Sequence, residues 1–168
     1  MTTALRRRLW IGALAFGIAL IAVGGFFVSQ ALNAKAMIRA ELASEQVTTS
    51  ADAAIPGVPV TDARTAQAQA DVIKKHALER YGSYASMSRD DPNRATYLDS
   101  FTLRTSLGLA VLGFGVSDLA LGTGVAVLVI GLGTLVFGVP VLYWLRVPVA
   151  EHARHAAARQ ALATDMAD

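Results

Sequence analysis

The run TSLGLAVLGFGVSDLALGTGVAVLVIGLGTLVFGVPVLYWL, Thr105 to Leu145, is 41 residues long and contains one charge, Asp118. A bilayer core of about 30 Å is crossed by roughly 20 apolar residues as helix. The run is therefore long enough for two spans, or for one span with an apolar extension. Ordinary soluble domains do not hide so long an unbroken apolar stretch, so the expected class is an all-α integral membrane protein.

Two glycine ladders lie inside the run. Gly108, Gly115 and Gly122 are seven apart, and so are Gly124, Gly131 and Gly138. Seven-residue spacing keeps a residue type on one side of a left-handed supercoiled helix. Small residues let membrane helices approach closely. On a continuous helix the ladders, offset by two residues, face opposite ways. One reading is a hairpin turning at Asp118 to Gly124, giving three spans. The other is one long helix that spans from about Leu119 to Leu145, with Thr105 to Ser117 packed among extramembrane helices. Asp118 and Thr123 make a thin polar turn, and three spans would put Arg146, Arg154 and Arg159 outside, against the positive-inside trend. Thr105 to Ser117, with no polar face, argues the other way. The two-span reading is preferred.

Upstream, Arg6, Arg7 and Arg8 precede Leu9 to Val28, twenty residues without a charge. A cleaved signal peptide has a shorter apolar region and a nearby small-x-small site; the nearest such triplet, Ala34-Lys35-Ala36, is far downstream, so an uncleaved anchor is expected. Helical composition continues through Asn33 to Gln46, with Met37, Ile38 and Leu42 as a short stripe. Val47 to Thr61, with Pro56-Gly57 and Pro59, reads as a linker or ordered loop, or a short edge strand. Asp62 is placed to cap a helix that runs to Tyr81 and stops at Gly82, with Ala66, Ala70, Ile73 and Ala77 along one face. Tyr81, Tyr84 and Met87 are placed to close one end of a small core. Asp91-Pro92 signals another helix start. That helix carries Ala95, Leu98 and Phe101 or Thr102 on one face and leads into the long run. Beyond it, Pro140 is placed to kink the helix. Tyr143 and Trp144 match an aromatic belt, as Trp10 does at the first span. The tail from Arg146 is alanine-rich.

The composition restricts the chemistry. The chain has 168 residues, 54% hydrophobic and 17% charged, with a formal net charge of +2 and no cysteine. Thiol catalysis, disulfides and cysteine-held metal are excluded. No basic stripe with interleaved aromatics points to nucleic acid. Glu151, His152 and His155 form E-H-x-x-H, which lacks the order that sets a general base between two metal ligands; solvated tail histidines are the better account, and no cofactor or metal is expected. His76 reads as solvated surface. The Gly-x-Gly fragments at Gly113 and Gly131 lie within apolar helix and follow no strand, so they are not phosphate loops. The acidic residues of the loop, Asp52, Asp62, Asp71, Asp90, Asp91 and Asp99, show no pairing in sequence. Asp118 is the sharpest candidate, because an ionisable residue in a membrane segment is costly. Pairing with a partner subunit's arginine is one role for it.

The ordering of an Arg-flanked span, then TSADAAIPGVPVTDARTAQAQADVIKKHALE (Thr49 to Glu79), YGSYASM (Tyr81 to Met87) and LRTSLGLAVLGFGV (Leu103 to Val116), resembles a family of small actinobacterial membrane proteins. The resemblance covers most of Leu9 to Gly138, but its motifs are not catalytic, so it implies no mechanism and no functional residues. Some relatives carry the label aromatic ring-opening dioxygenase. The three histidines of this chain fall in two regions separated by a span, which gives that label no support.

The expected organisation is a cytoplasmic basic N-terminus (1–8), a first transmembrane helix (9–32), an extracytoplasmic helical domain (33–118), a second transmembrane helix (119–145) and a cytoplasmic tail (146–168). The expected location is a bacterial plasma membrane. The expected partners are the lipid bilayer and a membrane protein or second copy meeting glycine-lined helix faces. An accessory or assembly role in an envelope complex is the first functional expectation. An oligomeric small-molecule or ion pathway using Asp118 is the second, and a membrane-bound enzyme on an envelope substrate the third.

Overall fold

The computed structural model describes residues 8–144. The expectations for Arg6 and Arg7, and for the tail with Arg146, Glu151, His152, Arg154, His155 and Arg159, lie outside these residues. Among the described residues the chain is helical, with one isolated β-bridge and no strand. The elements are α1 (Leu9–Ser44), α2 (Ala63–Tyr81), a 3-10 turn (Tyr84–Ser86), α3 (Arg94–Gly133), a π-helical turn (Thr134–Gly138) and α4 (Val139–Trp144). Two helical stretches are long and apolar enough to cross a membrane: Leu9–Ser44, and the continuous run Arg94–Trp144. Residues 118–124 are helical throughout, so the hairpin turn considered for Asp118 to Gly124 does not form. Asp118 finds a basic partner within the chain, and Ser117 Oγ donates to the Gly113 carbonyl, so neither residue interrupts the helix.

The chain divides into two compact units, Met1–Phe27 with Thr123–Asp168, and Val28–Gly122. In the first, the helices pack antiparallel through glycine. A Cβ built on Gly24 would stand 2.8 Å from both the Gly124 carbonyl oxygen and the Leu128 nitrogen, and one on Gly131 would stand 3.0 Å from the Gly17 carbonyl oxygen. The approach at Gly24 is closer than a Cβ allows, and that at Gly131 is tighter than ordinary van der Waals contact. Gly17 and Gly24 on α1, and Gly124 and Gly131 on α3, are the buried positions here, and all recur every seven residues. The large apolar side chains point outward instead. Phe16 is 59% exposed and Phe137 71%. Small residues inside and large ones outside invert the soluble pattern and suit helices solvated by lipid, where close packing rather than water expulsion drives association. Trp10 and Tyr143 meet edge to face at 6.1 Å at one end of this unit. Pro140 cannot donate to the preceding turn, and the helix widens into the π-helical turn just before it, with Val139 N–H reaching the Thr134 carbonyl.

The second unit is built in the ordinary way. Its core is Val60, Ala66, Ala70 and Leu107, with Leu42, Val47, Ile73, Ala110 and Val111 packed around it. The expected seam of α2 is present, and Ala68 and Val72 are buried as well. Asp62 and Thr65 form a capping box at the start of α2, and Gly82 at φ 76° ends it. Residues 47–61 form an ordered loop rather than a strand. Its two arms are tied by Thr49 N–H to the Val58 carbonyl at 2.9 Å and Val60 N–H to the Val47 carbonyl at 2.9 Å. Asp91 accepts from the Asn93 N–H at 2.8 Å, and regular helix begins at Arg94.

On α3 the expected Ala95, Leu98 and Phe101 face is not the packed one. Leu98 and Phe101 are 44% and 47% exposed, whereas Tyr97, Leu107 and Phe114 are buried. The rings of Tyr81 and Tyr84 stand 6.4 and 5.7 Å from Tyr97 and draw that face inward. On α1 the stripe is Ile38 and Leu42; Met37 is 72% exposed.

Candidate interaction site

Lys35 and Arg39 lie one helical turn apart on α1. Lys35 Nζ donates to the Asp118 carboxylate of α3, and the lysine side chain is 15% exposed against 60% for the aspartate. Arg39 Nε donates to the Thr61 carbonyl at 2.9 Å, and its guanidinium lies 6.0 Å from the centre of the Phe114 ring. Phe114 and Asp118 are themselves a turn apart. Two cations on one helix thus meet an aromatic ring and a carboxylate on the other, and Arg39 ties in the end of the 47–61 loop. Asp118 thus has a basic partner inside the chain, Lys35.

The two glycine ladders have different surroundings. Gly124 and Gly131 are buried against α1. Gly138 is half-buried, with its nearest outside atom a methyl of Thr134. Gly108, Gly115 and Gly122 have nothing within 4 Å of a built Cβ. The small positions that receive Gly124 and Gly131 are Gly17 and Gly24; their seven-residue interval in the first span is the signal that would have revealed them.

The polar groups of the Val28–Gly122 unit mostly hold its own parts together. His76 Nε2 lies 2.7 Å from Asp52 Oδ2, so this histidine is paired rather than merely solvated. That hydrogen bond, foremost, holds the Asp52 carboxyl below the usual range. The Thr65 backbone N–H and hydroxyl do the same for Asp62. Ser50 N–H donates to Gln69 Oε1 at 2.7 Å, and Gln67 Nε2 donates to Asp71 at 2.9 Å. Arg94 stacks 4.3 Å over the Tyr84 ring. Among the described residues, no group of three or more His, Asp or Glu is placed to hold a metal ion.

An open groove of about 500 Å³ runs beside the start of α2, floored by Ala54, Ile55, Ala68 and Val111 and edged by Arg64 and Asp71. It carries no convergent acid–base pair. No family model, no curated protein and no solved structure matches the chain.

Proposed function

We propose that this chain is a two-span, non-enzymatic membrane protein that serves as an accessory or assembly subunit of a bacterial envelope complex. The observation that carries the reading is the inverted packing of the first unit: helix backbones in contact through glycine, with phenylalanine, isoleucine and valine turned outward. Such a surface is stable in lipid. Charge spacing supports the same reading. About 25 residues separate Trp10 from Lys35, and about 25 separate Asp118 from Tyr143; each is about 37 Å of helix. That length matches a hydrocarbon core with its interfaces. By the positive-inside rule, Arg6, Arg7 and Arg8 assign the N-terminal end of the first span to the cytoplasm and the loop between the spans to the outer face. Between Asn33 and Arg104, nine Lys/Arg balance nine Asp/Glu, so no net charge opposes export of this loop.

A chain with two long apolar helices, a small helical core and no convergent acid–base pair among the described residues suits docking to another membrane protein better than turnover. The ion-pathway reading needs Asp118 turned toward a shared interior, and Lys35 holds it instead. The enzyme reading needs two carboxylates facing each other in a cleft, and Asp52 and Asp71 are engaged by His76 and Gln67. Blue native electrophoresis after mild detergent extraction tests the accessory role. A complex larger than the chain is expected; a strictly monomeric species without a co-purifying protein overturns the proposal.

A further inference from the structure

The tip of the 47–61 loop, residues 50–56, is pinned at its base and tied to α2 at two points. At the base, Thr49 N–H donates to the Val58 carbonyl at 2.9 Å, and Gly57 N–H donates to the Thr49 carbonyl at 3.1 Å. Gln69, Val72 and His76 lie along one face of α2 at helical spacing. Gln69 accepts the Ser50 N–H on Oε1 at 2.7 Å and donates from Nε2 to Ser50 Oγ at 3.2 Å. His76 Nε2 lies 2.7 Å from Asp52 Oδ2. Val72, between the two ties on α2, is buried, as is Ala53 in the tip. The Gln69 tie contains no titrating group. The His76 tie contains two. His76 is the only histidine among the described residues, and Asp52 is the only titratable side chain of residues 47–61. Ala54 and Ile55, which follow in the tip, line the open groove together with Arg64 and Gln67 of α2.

We infer that the His76–Asp52 contact is a pH-sensitive clasp, which holds the loop tip, and with it the Ala54 and Ile55 part of the groove, more tightly when the imidazole is protonated than when it is neutral. A protonated imidazole has an N–H at both ring nitrogens, so Nε2 always donates to the carboxylate and the bond joins opposite charges. A neutral imidazole has one N–H, on either nitrogen, and no Coulomb attraction to the carboxylate. Histidine changes charge near pH 6.5 in water. The two side chains are 55% and 46% exposed, so solvent exchanges protons with both. Lys75 acts on Asp52 from α2, and Glu79 and Arg80 follow His76 by one turn. Among the described residues neither His76 nor Asp52 has a second ion-pair partner. The hydrogen bond from His76 holds the Asp52 carboxyl below its usual range, so Asp52 stays ionised where histidine titrates. The ionic contribution is therefore present while the imidazole is charged and is lost as pH rises past the histidine range. At the acid end it is lost only as pH falls through the lowered Asp52 value.

The test uses the full chain in mild detergent and does not depend on which face of a membrane the loop occupies. Hydrogen–deuterium exchange of residues 50–57 is followed at about pH 5.5 and about pH 8, on either side of the histidine range. Each rate is divided by that of the unstructured peptide at the same pH. Protection of the tip should be about threefold higher at the lower pH, the scale of an exposed ion pair, with exchange in α1 unchanged. His76→Gln keeps an amide donor but does not titrate, so its tip should be equally protected at both pH values. Asp52→Asn should behave likewise, and Lys75→Gln should keep the wild-type response. His76 and Asp52 are both exposed, so neither change removes core packing. Equal protection of the wild-type tip at both pH values overturns the inference, as does a pH response that persists in His76→Gln. A His76→Gln tip that is less protected than wild type by the same factor at both pH values assigns the contact a merely structural role and overturns it too.

Discussion

At position 62 a carboxylate holds the first turn of α2 through the Thr65 N–H, at 2.8 Å. Asp62→Ala should lower stability by about 1 kcal/mol, measured by chemical unfolding in detergent. The hydrogen bonds from Thr65 depress the folded-state pKa of Asp62. Its contribution is therefore fully present above the unfolded value of about 3.9 and is lost as pH falls through the folded value. The stability curves of wild type and Asp62→Ala should converge in acid, and a gap that persists there would mean the carboxylate is not the cap. This cap was legible because an aspartate directly ahead of a helical run is a local signal. At the other kind of helix end the sequence misleads. Gln46 closes α1 with φ 50°, and the Val47 N–H reaches back to the Leu42 carbonyl at 3.1 Å. Glycine ordinarily fills that position, so Gln46→Gly should stabilise by up to about 1 kcal/mol in the same unfolding assay. Lys35 and Asp118 were each visible as charges. Their pairing, across 83 positions of chain, was not, because nothing local specifies which turn of a distant helix lies opposite.

At the scale of the helix, adjacent glycines give a sharp contrast. Gly24 meets backbone at 2.8 Å, while Gly25 has nothing within 4 Å. Gly24→Leu should force the two apolar helices apart and cost at least about 1–3 kcal/mol. Gly25→Leu should be near neutral. Thermal unfolding in micelles checks both, and equal effects would remove the glycine contact from the account. Seven-residue glycine spacing was readable in α3, but it states only that a close approach is permitted. Two ladders carry the same spacing, and only Gly124 and Gly131 are met by α1. The choice depends on rotation about the helix axis, which spacing alone does not specify. Continuity through Asp118 was likewise undecidable from the run alone, because a lone charge in apolar sequence suits either a turn or an ion pair.

For the whole molecule, the two apolar helices and the small helical domain were legible because both follow from composition and from caps close in sequence. The inside-out packing of Phe16, Phe137 and the glycines depends on contacts between helices far apart in sequence, which no local pattern specifies. The proposed arrangement has two spans, with residues 28–122 outside and both termini inside. Ser50 is half-buried and bonded to Gln69, whereas Ala51 beside it is exposed and a better probe position. With no native cysteine in the chain, Ala51→Cys and Ala167→Cys can each be treated with a membrane-impermeant thiol reagent in intact cells. Labelling is expected at position 51 at once, and at position 167 only after the membrane is opened. Labelling at position 167 in intact cells, or none at position 51, would contradict it.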